Sequence, residues 1–281
     1  MKPASKANDL ILVLGGTGKT GRRVAKRLKD KGHPVRIGSR SSTPEFDWDN
    51  EQSWVSALTN VKSVYITYSP DLAMPGAPDA IQAFINLTKM HGVKRLVLLS
   101  GRGEAEAQKC ERIVQNSGLE WTIVRSSWFN QNFSEGAFVN MVLDGAITLP
   151  SSNQLEPFVD VNDIADVVVA ALCEDTHKGQ IYEVTGPRLM TIADICHDLS
   201  LATGRDISYV DVPHRIFISQ VEESGAPKDV VWMLDYLFST VLDGRNASLC
   251  DGVHRALGRQ PKDFSDFAKE VAGTGVWEAT S

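Results

Sequence analysis

The feature that most constrains this chain is an apolar run, Leu10-Ile11-Leu12-Val13-Leu14, that passes directly into Gly15-Gly16-Thr17-Gly18-Lys19-Thr20-Gly21. A short continuous apolar run reads as a strand buried on both faces, the habit of parallel sheets covered by helices. The residues that follow, Thr20 to Lys31, carry Val24, Ala25 and Leu28 at helical spacing, and Gly32 supplies the stop. Strand, glycine loop and helix in direct succession predict the opening of a βαβ unit. In such a turn Gly15 allows the tight bend, Gly18 lets a phosphate approach the backbone, and Gly21 lets the helix pack close to the strand. The helix N-terminus then presents free N–H groups and a positive dipole end to an anion, with Thr17, Lys19 and Thr20 beside it. The spacing therefore predicts a dinucleotide whose pyrophosphate lies on residues 15–21.

The same alternation continues. Val35–Gly38, Val61–Thr67, Arg95–Leu99 and Trp121–Arg125 read as strands, and Ala80–His91 (capped by Asp79) and Glu104–Asn116 as helices between them. This is the pattern of an α/β protein with a doubly wound, Rossmann-type parallel sheet of six or more strands. After residue 126 the rhythm loosens. Val161–Cys173 reads as a helix, Gln180–Thr185 as a strand, and Thr191-x-x-Asp194 as a capping-box start for a helix that runs to Thr203 and stops at Gly204. Pro213–Glu223, Pro227–Leu242, Ala247–Gly258 and Phe264–Gly273 read as further helices. The expected organisation is a nucleotide-binding lobe over 8–150 and a smaller, mostly helical substrate lobe over 151–281, interleaved because 180–185 returns to the main sheet.

The end of the second strand selects the cofactor. A carboxylate there would accept hydrogen bonds from a ribose 2′-hydroxyl, whereas this chain has Ser39-Arg40-Ser41-Ser42. A guanidinium flanked by hydroxyls suits a 2′-phosphate, so the expected cofactor is NADP(H), held in part by Ser39, Arg40 and Ser41.

Composition excludes other classes. A net charge of −6 without a Lys/Arg block argues against nucleic-acid binding. Cys110, Cys173, Cys196 and Cys250 are mutually distant, with no metal-type spacing, and read as small core residues. Met1 to Asp9 has no apolar leader and no run is long enough to span a membrane, so a cytoplasmic protein is expected, as a monomer or homodimer.

The chain also resembles the NmrA-like group of atypical short-chain dehydrogenases, and within it the festuclavine and agroclavine dehydrogenases and their bacterial relatives. The residues that carry this are Leu14–Gly21, Phe46-Asp47-Trp48-Asp49 with Trp54 and Ala57-Leu58, and Ser117-Gly118-Leu119 through Thr122, Arg125 and Phe129 to Asn132-Phe133. Asp251–Arg259 and Thr274-Gly275-Val276-Trp277 carry it at the other end. The resemblance implies that Asp47 and Trp48 lie near the adenine and Thr67, Tyr68 and Ser69 near the ribose and nicotinamide. It places Ser100 and Gly101 beside the nicotinamide, with Ser126 to Phe129 on its other side.

A catalytic residue is not evident. Typical short-chain dehydrogenases have Tyr-x-x-x-Lys, but Gly101 to Glu111 contains no tyrosine, and Lys109 has no partner at the required spacing. Two readings stay open. One is a reductase whose electrophilic acceptor (C=N, C=C or quinone) needs little protein acid. The other is a catalytically silent protein that senses NADP(H). The substrate expected for the first is planar and apolar or cationic, with Tyr68, Trp128, Phe129 and Phe158 as candidates for the pocket wall.

Overall fold

The computed structural model of the chain describes residues 9–136, 138–151 and 153–278. The polar N-terminal stretch and the outer bounds of the two expected lobes, 8 and 281, lie outside the described residues. In chain order the main elements of the first part are β1 (Leu10–Leu14), α1 (Lys19–Asp30), β2 (Val35–Gly38), α2 (Glu51–Leu58), β3 (Val61–Ile66), α3 (Ala77–Met90), β4 (Arg95–Gly101), α4 (Ala105–Gln115) and β5 (Glu120–Ser126). There follow α5 (Asn132–Glu135), α6 (Val139–Leu143), β6 (Ala146–Leu149), α7 (Val161–Cys173), β7 (Gln180–Val184), α8 (Ile192–Thr203) and β8 (Ser208–Asp211). The chain continues through α9 (His214–Glu223), α10 (Lys228–Tyr236), α11 (Gly252–Leu257) and α12 (Phe264–Ala272).

These elements form two compact units. One contains the chain up to Arg125, Asn162–Glu183 and Gly252–Gly258; the other contains Ser126–Val161, Val184–Asp251 and the chain from Arg259. The polypeptide passes between them repeatedly, so no single cut, near 150 or elsewhere, separates them.

The first unit is built on a six-stranded sheet of order β2-β1-β3-β4-β5-β7. Its β1–β2, β1–β3 and β3–β4 pairs are parallel. This is the expected Rossmann-type α/β class. Because side chains alternate across a strand, Leu12, Leu14, Val64, Ile66, Leu96 and Leu98 share one face and pack with Trp54, Ile81 and Phe84. Ile11, Val13, Tyr65 and Val97, on the alternate positions, are equally buried. Each such side chain contributes about 1.5–3 kcal/mol, which is why the strands read as continuous apolar runs. Polar ties complete the unit. Arg27 of α1 donates to Asp166 (2.6 Å) and Asn162 (2.9 Å) of α7. The buried Arg95 at the start of β4 pairs with Glu120 and donates to the carbonyls of Ala171, Leu172 and Glu174.

The second unit has its own apolar core, in which Phe133, Phe158, Phe217, Phe238, Phe264, Phe267 and Trp277 meet the apolar faces of α8 and the β6–β8 pair. Trp277 fixes the C-terminal turn by donating its indole N–H to the Phe133 carbonyl at 2.8 Å. The capping box at Thr191 and Asp194 forms as expected, and Gly204 ends α8 in the left-handed region.

Three expectations are corrected. Asp79 does not cap its helix: α3 starts at Ala77 after Gly76, which sits at φ 89, with Pro78 in the first turn. Proline there loses no hydrogen bond, because the first helical N–H groups have no partner in the helix. The helix expected over Ala247–Gly258 shrinks to Gly252–Leu257, whose first residue lies so close to β7 that a Cβ would come 2.1 Å from the Glu183 carbonyl. The helix expected over Pro227–Leu242 ends as an α-helix at Tyr236 and continues as a π-helical turn, Leu237–Val241.

Candidate cofactor site

The chain enters the first unit's sheet at β1, runs out to β2, and then returns to the other side of β1 as β3. Ligands of open α/β sheets bind outside the carboxyl ends of the strands at such a reversal. The glycine loop lies at this point. Gly15 has φ +60, and a Cβ on it would meet the Thr67 hydroxyl at 2.3 Å. That hydroxyl donates to the Leu14 carbonyl at 3.1 Å, which joins the ends of β1 and β3. A Cβ on Gly21 would fall 2.2 Å from the Gly15 carbonyl oxygen, so the close packing of α1 on the loop excludes any side chain at this position. Gly18 precedes α1 without a side-chain cap, and the first turn of the helix has no acidic residue. Thr17 and Gly18 are exposed. The loop thus leaves an uncapped helix N-terminus beside a surface where backbone is accessible, which fits the pyrophosphate of a dinucleotide. Thr20 has a different place from Thr17. It is buried, and its hydroxyl accepts a hydrogen bond from Tyr65 at 3.1 Å, tying α1 to β3.

Beyond β2, Ser42 shapes the turn by donating to the Ser39 carbonyl (2.8 Å) and accepting from the Ser39 N–H (3.0 Å). The Ser39 and Ser41 hydroxyls are 3.3 Å apart. Arg40 is exposed and has no partner among the described residues, so its guanidinium is available to an incoming anion.

Asp47 and Trp48 are set by an aromatic group. Trp48 stands edge-on to Phe46 at 5.1 Å and to Phe84 at 5.3 Å, and Trp54 packs beside them. The Trp48 indole donates to the Thr67 carbonyl at 3.0 Å, and its ring lies 4.9 Å from that of Tyr68. The Asp47 carbonyl accepts from the Trp54 indole at 2.6 Å. Residues 47–48 are thereby held at the end of β3, with Thr67 and Tyr68. The Tyr68 hydroxyl is pushed above its ordinary range by burial first, then by the charge of Asp49. This disfavours it as a proton donor near neutral pH.

At the end of β4, Ser100 is buried and donates to Glu111 of α4 at 2.6 Å. Glu111 also accepts two hydrogen bonds from Arg125 of β5, at 2.5 and 2.9 Å, and Arg125 reaches Glu183 of β7 at 2.6 Å. Gly101 is followed by a buried Glu104 whose carboxyl folds back over it. The acid that bears on Glu104 most is Asp71, from the segment that leaves β3. Neither acid belongs to a recognisable sequence motif. A motif search for tyrosine and lysine passes over a carboxyl that matters only because two loops meet. The one available signal was the glutamate directly after Gly101-Arg102-Gly103 at a strand end.

The expected pocket-wall residues divide. Tyr68 belongs to the first unit. Trp128, Phe129 and Phe158 belong to the second, where Trp128 packs edge-on against Phe238 at 5.2 Å and Phe158 at 6.4 Å. Phe158 is 3 % exposed and serves the second core, whereas Trp128 and Phe129 keep part of their surface open.

The chain is similar to known NAD(P)H-binding proteins. Residues 15–175 match the family model described as NAD(P)H-binding, and residues 105–267 match the NmrA-like family. The agroclavine dehydrogenase of Claviceps fusiformis is 32 % identical over 95 % of this chain and 98 % of its own. An uncharacterized oxidoreductase of Bacillus subtilis, YesF, is 30 % identical over 95 % of this chain and 97 % of its own. In three dimensions the chain superimposes on the NADPH-dependent quinone oxidoreductase of Escherichia coli, solved with NADPH, with a TM-score of 0.75 at 19 % identity over 93 % of this chain and 99 % of that one.

Proposed function

This chain belongs to the NmrA-like family of NAD(P)H-binding proteins, and from that premise we propose that it is an NADPH-dependent reductase delivering hydride to an electrophilic C=N, C=C or quinone acceptor. The observation that carries the choice of cofactor is Arg40, exposed just past β2 and without a partner among the described residues, in a loop with three serine hydroxyls and no carboxylate. An acid at that position would repel a 2′-phosphate, whereas a free guanidinium can grip it with two parallel hydrogen bonds.

The reductase reading draws on the relatives. One is an agroclavine dehydrogenase by its name, and a structural neighbour is an NADPH-dependent quinone oxidoreductase by its name. When bound, the cofactor supplies a hydride. The protein's part is to hold the phosphates on residues 15–21, to clamp the 2′-phosphate with Arg40, and to seat the adenine end near Asp47 and Trp48. Positioning of this kind supplies much of the rate when the acceptor is already electrophilic.

The test is NADPH consumption against a panel of quinones, cyclic imines and activated alkenes. Turnover with one class supports the reading. Tight NADPH binding without turnover of any would contradict it and favour a cofactor-sensing regulator.

A further inference from the structure

The strands β3 and β4 are parallel neighbours with Ile66 beside Leu98, so the segments that follow them leave the sheet on one edge. That edge also carries the glycine loop after β1. The β4 end lies two strand spacings from β1, about 10 Å, which is within reach of a dinucleotide whose pyrophosphate rests on the loop. Two carboxyl groups meet here. Glu104 is 6 % exposed and turns back over Gly101, where a Cβ would lie 2.2 Å from its Oε1 and 2.6 Å from its Oε2. The missing side chain at 101 is what gives the carboxyl its place. Asp71 reaches the same point from the β3 side, with Oδ1 accepting the Ala73 N–H at 2.8 Å. Asp71 and Glu104 are close enough that each carboxyl acts on the other.

Two neighbouring buried carboxylates repel each other when both are ionised, and burial disfavours the charged form, so this arrangement favours one retained proton. The backbone N–H on Asp71 favours the charge there and the proton on Glu104. The charges that bear on Glu104 are those of Asp71 and Glu111, both acidic. Glu111 is itself held by Arg125 and Ser100. Desolvation is the largest cause raising the Glu104 carboxyl well above the ordinary carboxylate range, and Asp71 adds to it.

We propose that Glu104, its buried carboxyl folded over Gly101 beside Asp71, is the proton donor of this site, delivering its carboxyl proton to the heteroatom of a neutral acceptor after hydride transfer. The inference rests on the reductase reading and fills the place left by the missing tyrosine. For a quinone, the acceptor takes hydride and becomes the hydroquinone anion, and the cofactor leaves as NADP⁺. The O–H bond of Glu104 breaks, its proton goes to the hydroquinone oxygen, and solvent then returns a proton to the carboxyl pair. The net reaction consumes one NADPH, one quinone and one proton. An iminium cation takes hydride to give a neutral amine and needs no proton. The site therefore discriminates between acceptors by their demand for a proton.

The test compares wild type, Glu104→Gln and Asp71→Asn with a benzoquinone and with an N-alkyl cyclic iminium ion, each across pH. Gln keeps the size of the side chain without its proton, and melting curves check that each variant folds. The expected result is a quinone kcat lowered about a hundredfold in Glu104→Gln, with a far smaller effect on the iminium. The smaller, displaced effect in Asp71→Asn would be a shifted pH profile for the quinone. Infrared spectra of the cofactor-free protein near neutral pH should show a protonated-carboxyl band that Glu104→Gln removes. Equal loss with both acceptors, no loss with either, or an unchanged band would overturn the donor role. Failure of the wild type to turn over any acceptor would instead overturn the reductase reading, and the infrared band would still report whether the pair holds its proton.

Discussion

The two ends of the candidate cofactor site do opposite jobs with opposite materials. At the β1–β2 end most groups are backbone: Gly15, Gly18 and Gly21 clear space and α1 begins without a side-chain cap, with the exposed Arg40 guanidinium beyond β2. At the β3–β4 end the groups are side chains in a buried network: Asp71 with Glu104, and Ser100, Glu111, Arg125 and Glu183 in a linked set. The first end is open to receive an anion. The second is internally satisfied and holds acid in a desolvated setting. A dinucleotide needs both characters, because its phosphates carry charge and its nicotinamide does the chemistry away from water.

The contrast is testable, and the largest effect belongs at the buried end. Arg125→Met leaves Glu111, 2 % exposed, without its cation. Breaking a buried pair in this way costs about 3–5 kcal/mol. Denaturant unfolding at neutral pH measures it, and a loss under about 1 kcal/mol would show that the network is not what holds this edge.

At the open end the steric limit is next. Gly21→Ala places a methyl 2.2 Å from the Gly15 carbonyl oxygen. Overpacking of this kind costs about 1–3 kcal/mol of stability. NADPH affinity should fall with it, since the loop must move. Unchanged affinity and stability would mean that α1 does not pack on the loop as described.

The third prediction concerns pH. Glu104 is raised in the folded state, first by desolvation and then by Asp71. The folded protein therefore holds a proton that the unfolded chain releases. The stabilisation tied to this proton is fully present below the unfolded carboxylate value and is lost as pH rises through the raised folded one. Melting temperature should decline over that window in wild type and decline less in Glu104→Gln. Parallel curves would count against a retained proton. The smallest effect is expected from Ser100→Ala, which removes one hydrogen bond to a carboxylate that keeps Arg125 and should cost about 1 kcal/mol.

The two ends also differed in how far the sequence reveals them. The open end is local: strand, glycines and helix are adjacent, each glycine has a steric reason, and Arg40 lies at a fixed offset past β2. Leu10–Gly21 states nearly all of it. The helical caps at Thr191, Asp194 and Gly204 were legible for the same reason. The buried end is non-local. Asp71 and Glu104 are distant in sequence and meet only because β3 and β4 pair, and Arg125 reaches Glu183 only because β7 rejoins the sheet. Even Tyr65, readable as core from its strand position, hid its bond to Thr20. Patterns of spacing record what neighbours on one element do. They carry little about side chains brought together by topology.

The central claim is that this site takes NADPH through the loop and Arg40. It is tested most directly by titrating the protein with NADPH and with NADH, following cofactor fluorescence, in wild type and in Arg40→Ala. The account predicts tighter NADPH binding in wild type and a selective loss of about ten- to a hundredfold in the mutant, the worth of hydrogen bonds to a charged group, with NADH affinity little changed. Equal affinity for the two cofactors, or a mutant that weakens both alike, would contradict it.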